Sequence, residues 1–137
     1  MSRIFIDTNI LVYLVDKDAG SKHETAKRML NPFFDLVDEQ PAISVQVLHE
    51  FTNRLYRWKF PDKKVEALIE PLKYWNVVAN DLALFSHGLA IKQRYKTSFW
   101  DSLIIAAAID SGAKEIWSED FNSGQSYQGV VAVNPFL

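Results

Sequence analysis

Arg3-Ile4-Phe5-Ile6-Asp7-Thr8-Asn9 decides the fold: three β-prone apolar residues run into a carboxylate, and two helix-capping side chains follow at once. Ile10 to Val15 then reads as a short helix. A strand that delivers an acid at its carboxyl end places it where open α/β sheets bind ligands, in the crevice beyond the strand ends.

Working outward, the same handover recurs. Pro41-Ala42-Ile43-Ser44 predicts a second strand whose Ser44 caps a helix from Val45 to Trp58, with Val47, Leu48, Phe51, Leu55 and Trp58 as its apolar stripe and Glu50 on the shoulder. Asp62 is placed as the cap of a helix carrying Val65, Leu68, Ile69 and Leu72, and 75–79 as a third strand. Asn80 or Asp81 starts a helix to Tyr95. Thr97-Ser98 caps a helix from Phe99 to Asp110 that is apolar on every side and therefore buried. Gly112 ends it, Glu115-Ile116-Trp117 forms a strand, Ser118-Glu119-Asp120 leaves that strand, and Val130 to Val133 forms the last one. Between the first two strands, 16–20 reads as a polar loop and His23 to Leu30 as a helix. Asn31-Pro32 then opens a separate helical segment carrying Phe33, Phe34, Leu36 and Val37. Strands alternating with helices specify an α/β fold with a parallel sheet covered on both faces.

At 137 residues, 48% of them hydrophobic, the chain is expected to be one domain, 1–137, with a core able to fold alone. It has no cysteine, which excludes disulfides and thiolate metal ligation and makes the cytosol the simplest setting. No signal peptide and no membrane-spanning run is read in it. The net charge of −2 excludes a general polyanion binder, so any nucleic-acid role needs a local site. Arg54, Arg57, Lys59, Lys63 and Lys64 cluster around Phe60-Pro61-Asp62, which reads first as a solvated helix edge and second as a phosphate or partner surface.

Asp7, Glu50, Asp101 and Asp120 all lie where strands end or the following helices begin, and a parallel sheet can bring them to one edge. Each has a simpler explanation alone. Asp7 can cap the next helix, Glu50 can be a solvated flank, Asp101 fits a capping box with Ser98, and Glu119 and Asp120 can be loop acids. Together, four carboxylates repel and raise one another's pKa unless cations hold them. Oxygen-only donors select Mg²⁺ or Mn²⁺ over Zn²⁺. His23, His49 and His87 are scattered and read as packing or surface residues.

Phe5-Ile6-Asp7-Thr8-Asn9, the stretch from Ser44 to Phe51, Phe99-Trp100-Asp101-Ser102-Leu103-Ile104 and Trp117-Ser118-Glu119-Asp120-Phe121 resemble, in order and spacing, the PIN-domain ribonucleases, particularly the VapC-type toxins. The closing Asn134-Pro135-Phe136 is similar too. The resemblance implies a three-layer α/β/α sandwich with a central, mostly parallel sheet, and a Mg²⁺- or Mn²⁺-dependent endoribonuclease of a toxin–antitoxin pair. It implies Asp7, Glu50, Asp101 and Asp120 as catalytic and metal-ligating acids, with Glu119 as an alternative to Asp120 for the fourth. Thr8, Asn9 and Ser118 match the polar residues that hold water or orient a carboxylate. RNA as substrate, a small antitoxin, a homodimer and no membrane complete the expectation. Lys92, Arg94, Lys96 and Trp100 are candidates to guide RNA, with a core position the first reading of Trp100.

Three rivals stand beside it. One is a non-catalytic RNA- or protein-binding module on the same fold, and another a DNA-directed nuclease. The third is an aspartyl phosphatase of the haloacid-dehalogenase type, which needs a second Asp where this chain has Asn9.

Overall fold

The computed structural model describes residues 2–35 and 39–137. Among the described residues, six α-helices flank one six-stranded sheet in an α/β/α arrangement. The opening stretch behaves as its residues dictate: β1 (Ile4–Ile6) ends in Asp7, whose carboxylate caps α1 (Thr8–Val15) by accepting the Thr8 amide N–H at 2.7 Å. β2 (Ala42–Ser44) repeats the handover, with Ser44 Oγ accepting from the Val47 amide to cap α3 (Val45–Arg57). Val47, Phe51 and Leu55 of the expected stripe are buried, and Leu48 and Trp58 pack partly buried against the core.

The sheet order is β3-β2-β1-β4-β6-β5, with β3 at Asn76–Val78, β4 at Glu115–Trp117, β5 at Ser126–Tyr127 and β6 at Val130–Val133. Every pairing is parallel except β5 with β6. The chain leaves β1 toward β2 and β3 on one side and returns to β4 on the other, so the strand order reverses between β1 and β4. That reversal opens a ligand crevice at their carboxyl ends. The Asp7 amide N–H donates to the Trp117 carbonyl at 3.0 Å and holds those two exits side by side.

α6 (Phe99–Asp110) is the buried helix its composition requires, with Ser102 to Ala108 all buried. It packs on β2, β4 and α5 (Leu82–Tyr95), which Asp81 caps by accepting from the Leu84 amide at 2.9 Å. The two helices approach closely at Gly88, where an added Cβ would lie 2.5 Å from Leu103 Cδ2 and 3.3 Å from its Cγ. Gly88→Val is expected to lower the unfolding free energy by about 1–3 kcal/mol through overpacking, read as a shifted denaturant midpoint at constant slope.

Several boundaries differ from the sequence expectation. α2 runs unbroken over Ser21–Asp35 with Pro32 inside it, rather than breaking at Asn31. The proline removes one helical N–H, but Phe33 just beyond it is anchored against Trp75 and Trp117, at centroid distances of 6.3 and 5.8 Å. Tertiary packing thus carries the helix through. Leu36 and Val37, expected in that segment, lie outside the described residues. Asp62 is the first residue of α4 (Asp62–Ile69) and not its cap; Pro61 occupies the cap, and the Asp62 carboxylate accepts the Tyr56 hydroxyl at 3.0 Å. The 16–20 loop contains a 3-10 turn, Lys17–Ala19, and a second one covers Glu70–Tyr74. Among the described residues no helix is long and apolar enough to cross a membrane.

Candidate active site

Asp7, Glu50, Asp101 and Asp120 line one cavity of about 440 Å³ at the reversal between β1 and β4. Four elements deliver them. Asp7 leaves β1, Asp120 follows β4, Glu50 projects from the second turn of α3, and Asp101 from the first turn of α6. The Asp101 amide donates to Ser98 Oγ at 3.1 Å, the helix-capping half of the expected box.

Thr8, Asn9 and Ser118 each hydrogen-bond to one of these carboxylates. Thr8 Oγ1 donates to Glu50 Oε1 at 2.7 Å, Asn9 Nδ2 to Asp120 Oδ2 at 3.0 Å, and Ser118 Oγ to Asp7 Oδ2 at 2.7 Å. Ser118 is fully buried and also accepts the Asp120 amide at 3.0 Å, so one hydroxyl ties the first acid to the fourth. Glu50 and Asp120 each spend one oxygen on these bonds and keep the other. Among the described residues, no three Asp, Glu or His side chains form a ready-made cation cage: the acids share the cavity wall, with Asp7, Glu50 and Asp120 each held by a hydroxyl or amide side chain.

Electrostatics couples them. Asp7 is 4% exposed, and burial pushes its carboxyl from 3.8 to about 7; the Ser118 hydroxyl and Thr8 amide oppose the rise, and the charges of Asp120 and Glu50 add to it. Asp101 is also raised, by burial and then by the charge of Asp120, against the Ser98 hydroxyl. Asp120 therefore acts on two other acids at once.

Glu119 also reaches the cavity, but its carboxylate is occupied. Oε1 accepts the Tyr13 hydroxyl at 2.5 Å and Oε2 pairs with the Lys22 ammonium at 2.9 Å. Burial works to raise its pKa, yet Tyr13 and Lys22 prevail and hold it below the usual carboxylate value. Lys22 also lies 5.7 Å from the Phe136 ring, and Phe136 meets Tyr13 edge-on at 5.1 Å, so the chain's closing residues buttress this side of the site.

Arg54 and Arg57 are exposed, as a solvated helix edge requires, and also line the cavity beside Asn53. Their signal was available: they stand four and seven residues after Glu50, on the same helical face. Trp100 is 64% exposed and is not a core residue. Lys92 serves the α5 C terminus, donating to the Thr97 carbonyl at 3.1 Å. His23 binds the Tyr13 carbonyl at 2.9 Å, His49 is exposed, and His87 faces Asp110 at 3.0 Å.

Ser118→Ala removes the hydroxyl that links Asp7 to the Asp120 loop. The expected result is a 10- to 100-fold loss of whatever catalysis the acids perform, with about 1–3 kcal/mol of stability lost from the unpaired amide, checked by kinetics and denaturation on one preparation.

The family model described as PIN domain matches residues 4–123. No curated protein matches the sequence. Among solved structures, a toxin–antitoxin complex from Klebsiella pneumoniae is 25% identical, with 98% of each chain covered and a TM-score of 0.70. VapC20 of Mycobacterium tuberculosis, described as a sarcin–ricin loop cleaving toxin, is 23% identical over 85% of this chain and 89% of its own, at a TM-score of 0.65. DNA-bound VapBC from Salmonella typhimurium is 16% identical over 96% and 97%, at 0.66.

Proposed function

This chain belongs to the PIN-domain family, and from that premise we propose that it is a Mg²⁺- or Mn²⁺-dependent endoribonuclease, the toxin of a toxin–antitoxin pair. The observation that carries the reading is the convergence of Asp7, Glu50, Asp101 and Asp120 on one cavity at the strand-order reversal. RNA is the substrate assigned because a neighbour of the same fold is described as cleaving the sarcin–ricin loop. A small antitoxin as partner belongs to the same reading, supported by likeness to a toxin–antitoxin complex, and a homodimer is the assembly proposed with it.

The donor set suits a hard divalent cation: it is all oxygen, and it includes a buried carboxylate that is costly to ionise alone. Asp7, Asp101, Asp120 and Glu50 are the residues that would hold it. Asp120 is chosen over Glu119 because both Glu119 oxygens are committed to Tyr13 and Lys22. When bound, such a cation polarises a phosphate oxygen and lowers the pKa of a coordinated water.

The chain's own residues set the frame for that chemistry. Ser118, Asn9 and Thr8 fix the carboxylates of Asp7, Asp120 and Glu50, so the acids need little reorganisation. Arg54 and Arg57 offer guanidinium groups for the phosphates flanking the scissile bond. In-line attack by water leaves a 5′-phosphate and a 3′-hydroxyl.

Side-by-side digestion of RNA and single-stranded DNA by purified, antitoxin-free protein in Mn²⁺ tests the assignment. RNA cut with DNA intact is the expected outcome. RNA that is bound and never cut would make the chain a binding module instead.

A further inference from the structure

Residues 118–120 leave β4 without regular structure, so the placement of Asp120 depends on what grips that stretch. α1 supplies one grip. Asn9 and Tyr13, one helical turn apart on the same face, hold consecutive residues: Asn9 Nδ2 donates to Asp120 Oδ2 at 3.0 Å, and the Tyr13 hydroxyl donates to Glu119 Oε1 at 2.5 Å. α2 supplies the other. Lys22 Nζ donates to Glu119 Oε2 at 2.9 Å and to the Tyr13 hydroxyl oxygen at 3.4 Å, so one ammonium bonds to both members of the Tyr13–Glu119 contact. Its Nζ also lies 5.0 Å from the centre of the Tyr13 ring.

As a contribution to folding, this pair is minor. The Lys22 side chain is 44% exposed, and a solvated Lys–Glu pair adds little to stability. Its geometry says more. Both Glu119 oxygens are taken by groups on two different helices, which fixes the carboxylate and, through it, the backbone next to Asp120. Among the described residues this is the ion pair that contains an acid of the cavity. Tyr13 and Glu119 line the cavity and Lys22 does not, so its ammonium faces Glu119 rather than the space a substrate would enter.

We propose that Lys22 is a positioning residue for cleavage: through Glu119 and Tyr13 it holds residues 118–120 so that Asp120 stands ready to share a cation with Asp7. The inference rests on the endoribonuclease reading and gives a role to a residue outside the acid cluster. A displacement of about 1 Å at such a site costs on the order of 10²-fold in rate, so a contact of small worth to the fold has a large effect on the reaction.

The test compares Lys22→Met, Lys22→Arg and Tyr13→Phe with wild type in three readouts: single-turnover cleavage at saturating RNA in Mn²⁺, RNA affinity in EDTA, and Mn²⁺ affinity by calorimetry on RNA-free protein. Lys22→Met is expected to lose on the order of 10-fold in rate and in Mn²⁺ affinity, with RNA affinity and melting temperature nearly unmoved. Lys22→Arg should recover most of both losses. Tyr13→Phe keeps the ring and drops one bond, so it should show a smaller loss in the same two readouts. Adding Lys22→Met to Glu119→Gln should cost little beyond the single change, because the two act as one unit. Weaker RNA binding at unchanged rate and Mn²⁺ affinity makes Lys22 a phosphate contact and overturns the proposal. So do three unchanged readouts, losses that multiply in the double variant, or a collapsed melting temperature in Lys22→Met. Wild-type cleavage that Lys22→Met leaves intact sinks the positioning role alone. Mn²⁺ binding weakened by Lys22→Met in a protein that never cuts RNA sinks the nuclease reading and leaves the role standing, and a wild type that neither cuts RNA nor binds Mn²⁺ overturns both.

Discussion

Asp7→Asn is expected to lower RNA cleavage on the order of 10³-fold or more while leaving the fold intact. Asparagine keeps the oxygen that accepts the Thr8 amide, so the α1 cap survives, and what disappears is the negative charge in the cavity and the oxygen that accepts the Ser118 hydroxyl. Asp101→Asn should match it, because the helix cap rests on the Asp101 backbone N–H and asparagine keeps an oxygen for the Ser98 hydroxyl. Glu119→Gln is the contrast. Its carboxylate already serves Tyr13 and Lys22, so the substitution should cost activity only about 10-fold, through the loop that carries Asp120. Single-turnover cleavage, with circular dichroism on the same samples, separates the three. Equal losses in Glu119→Gln and Asp7→Asn would move the fourth acid to Glu119.

The second large effect is on stability, and it has the opposite sign. With its pKa raised from 3.8 to about 7, Asp7 binds its proton more tightly in the folded than in the unfolded chain. Stability of metal-free protein therefore falls as pH rises through that window and levels off above it. At about 1.4 kcal/mol per pH unit, the full penalty is ~4 kcal/mol at pH 8. In EDTA at about pH 8, Asp7→Asn should melt roughly 5–10 °C above wild type, the two converging near pH 4 as the acid becomes neutral. Mn²⁺ should raise the wild-type melting temperature and leave the variant nearly unmoved. A wild type that grows more stable between pH 4 and 7, relative to the variant, would show that Asp7 is not the destabilised acid. The acid that the proposed function places at the centre of the site is thus one whose ionisation the fold itself resists.

Much of this was legible in the residues. Ile4-Phe5-Ile6-Asp7-Thr8 reads as strand, acid and helix because the chemistry is local, and the body of α6 reads as buried because no polar face interrupts it. What was not legible depends on partners distant in sequence. Pro32 looks like a helix start until Phe33 is seen packed on Trp75 and Trp117. Glu119 and Asp120 are equivalent on paper. Tyr13 and Lys22, about a hundred residues earlier, distinguish them in space. β5 is only two residues long, and its pairing follows from a tight turn at Gln128 and Gly129, with φ of 53° and 91°, that no hydrophobic period announces. Trp100, in an otherwise apolar helix, gives no hint of its exposure because helical phase decides it.

The most direct measurement follows wild-type protein and RNA first in EDTA and then after addition of Mn²⁺, with the chemistry of the new ends determined. Cleavage should be absent in EDTA, appear with Mn²⁺, and leave 5′-phosphate and 3′-hydroxyl ends. Undiminished cleavage in EDTA, or 2′,3′-cyclic phosphate ends, would contradict an acid-held cation and a water nucleophile at the Asp7 site.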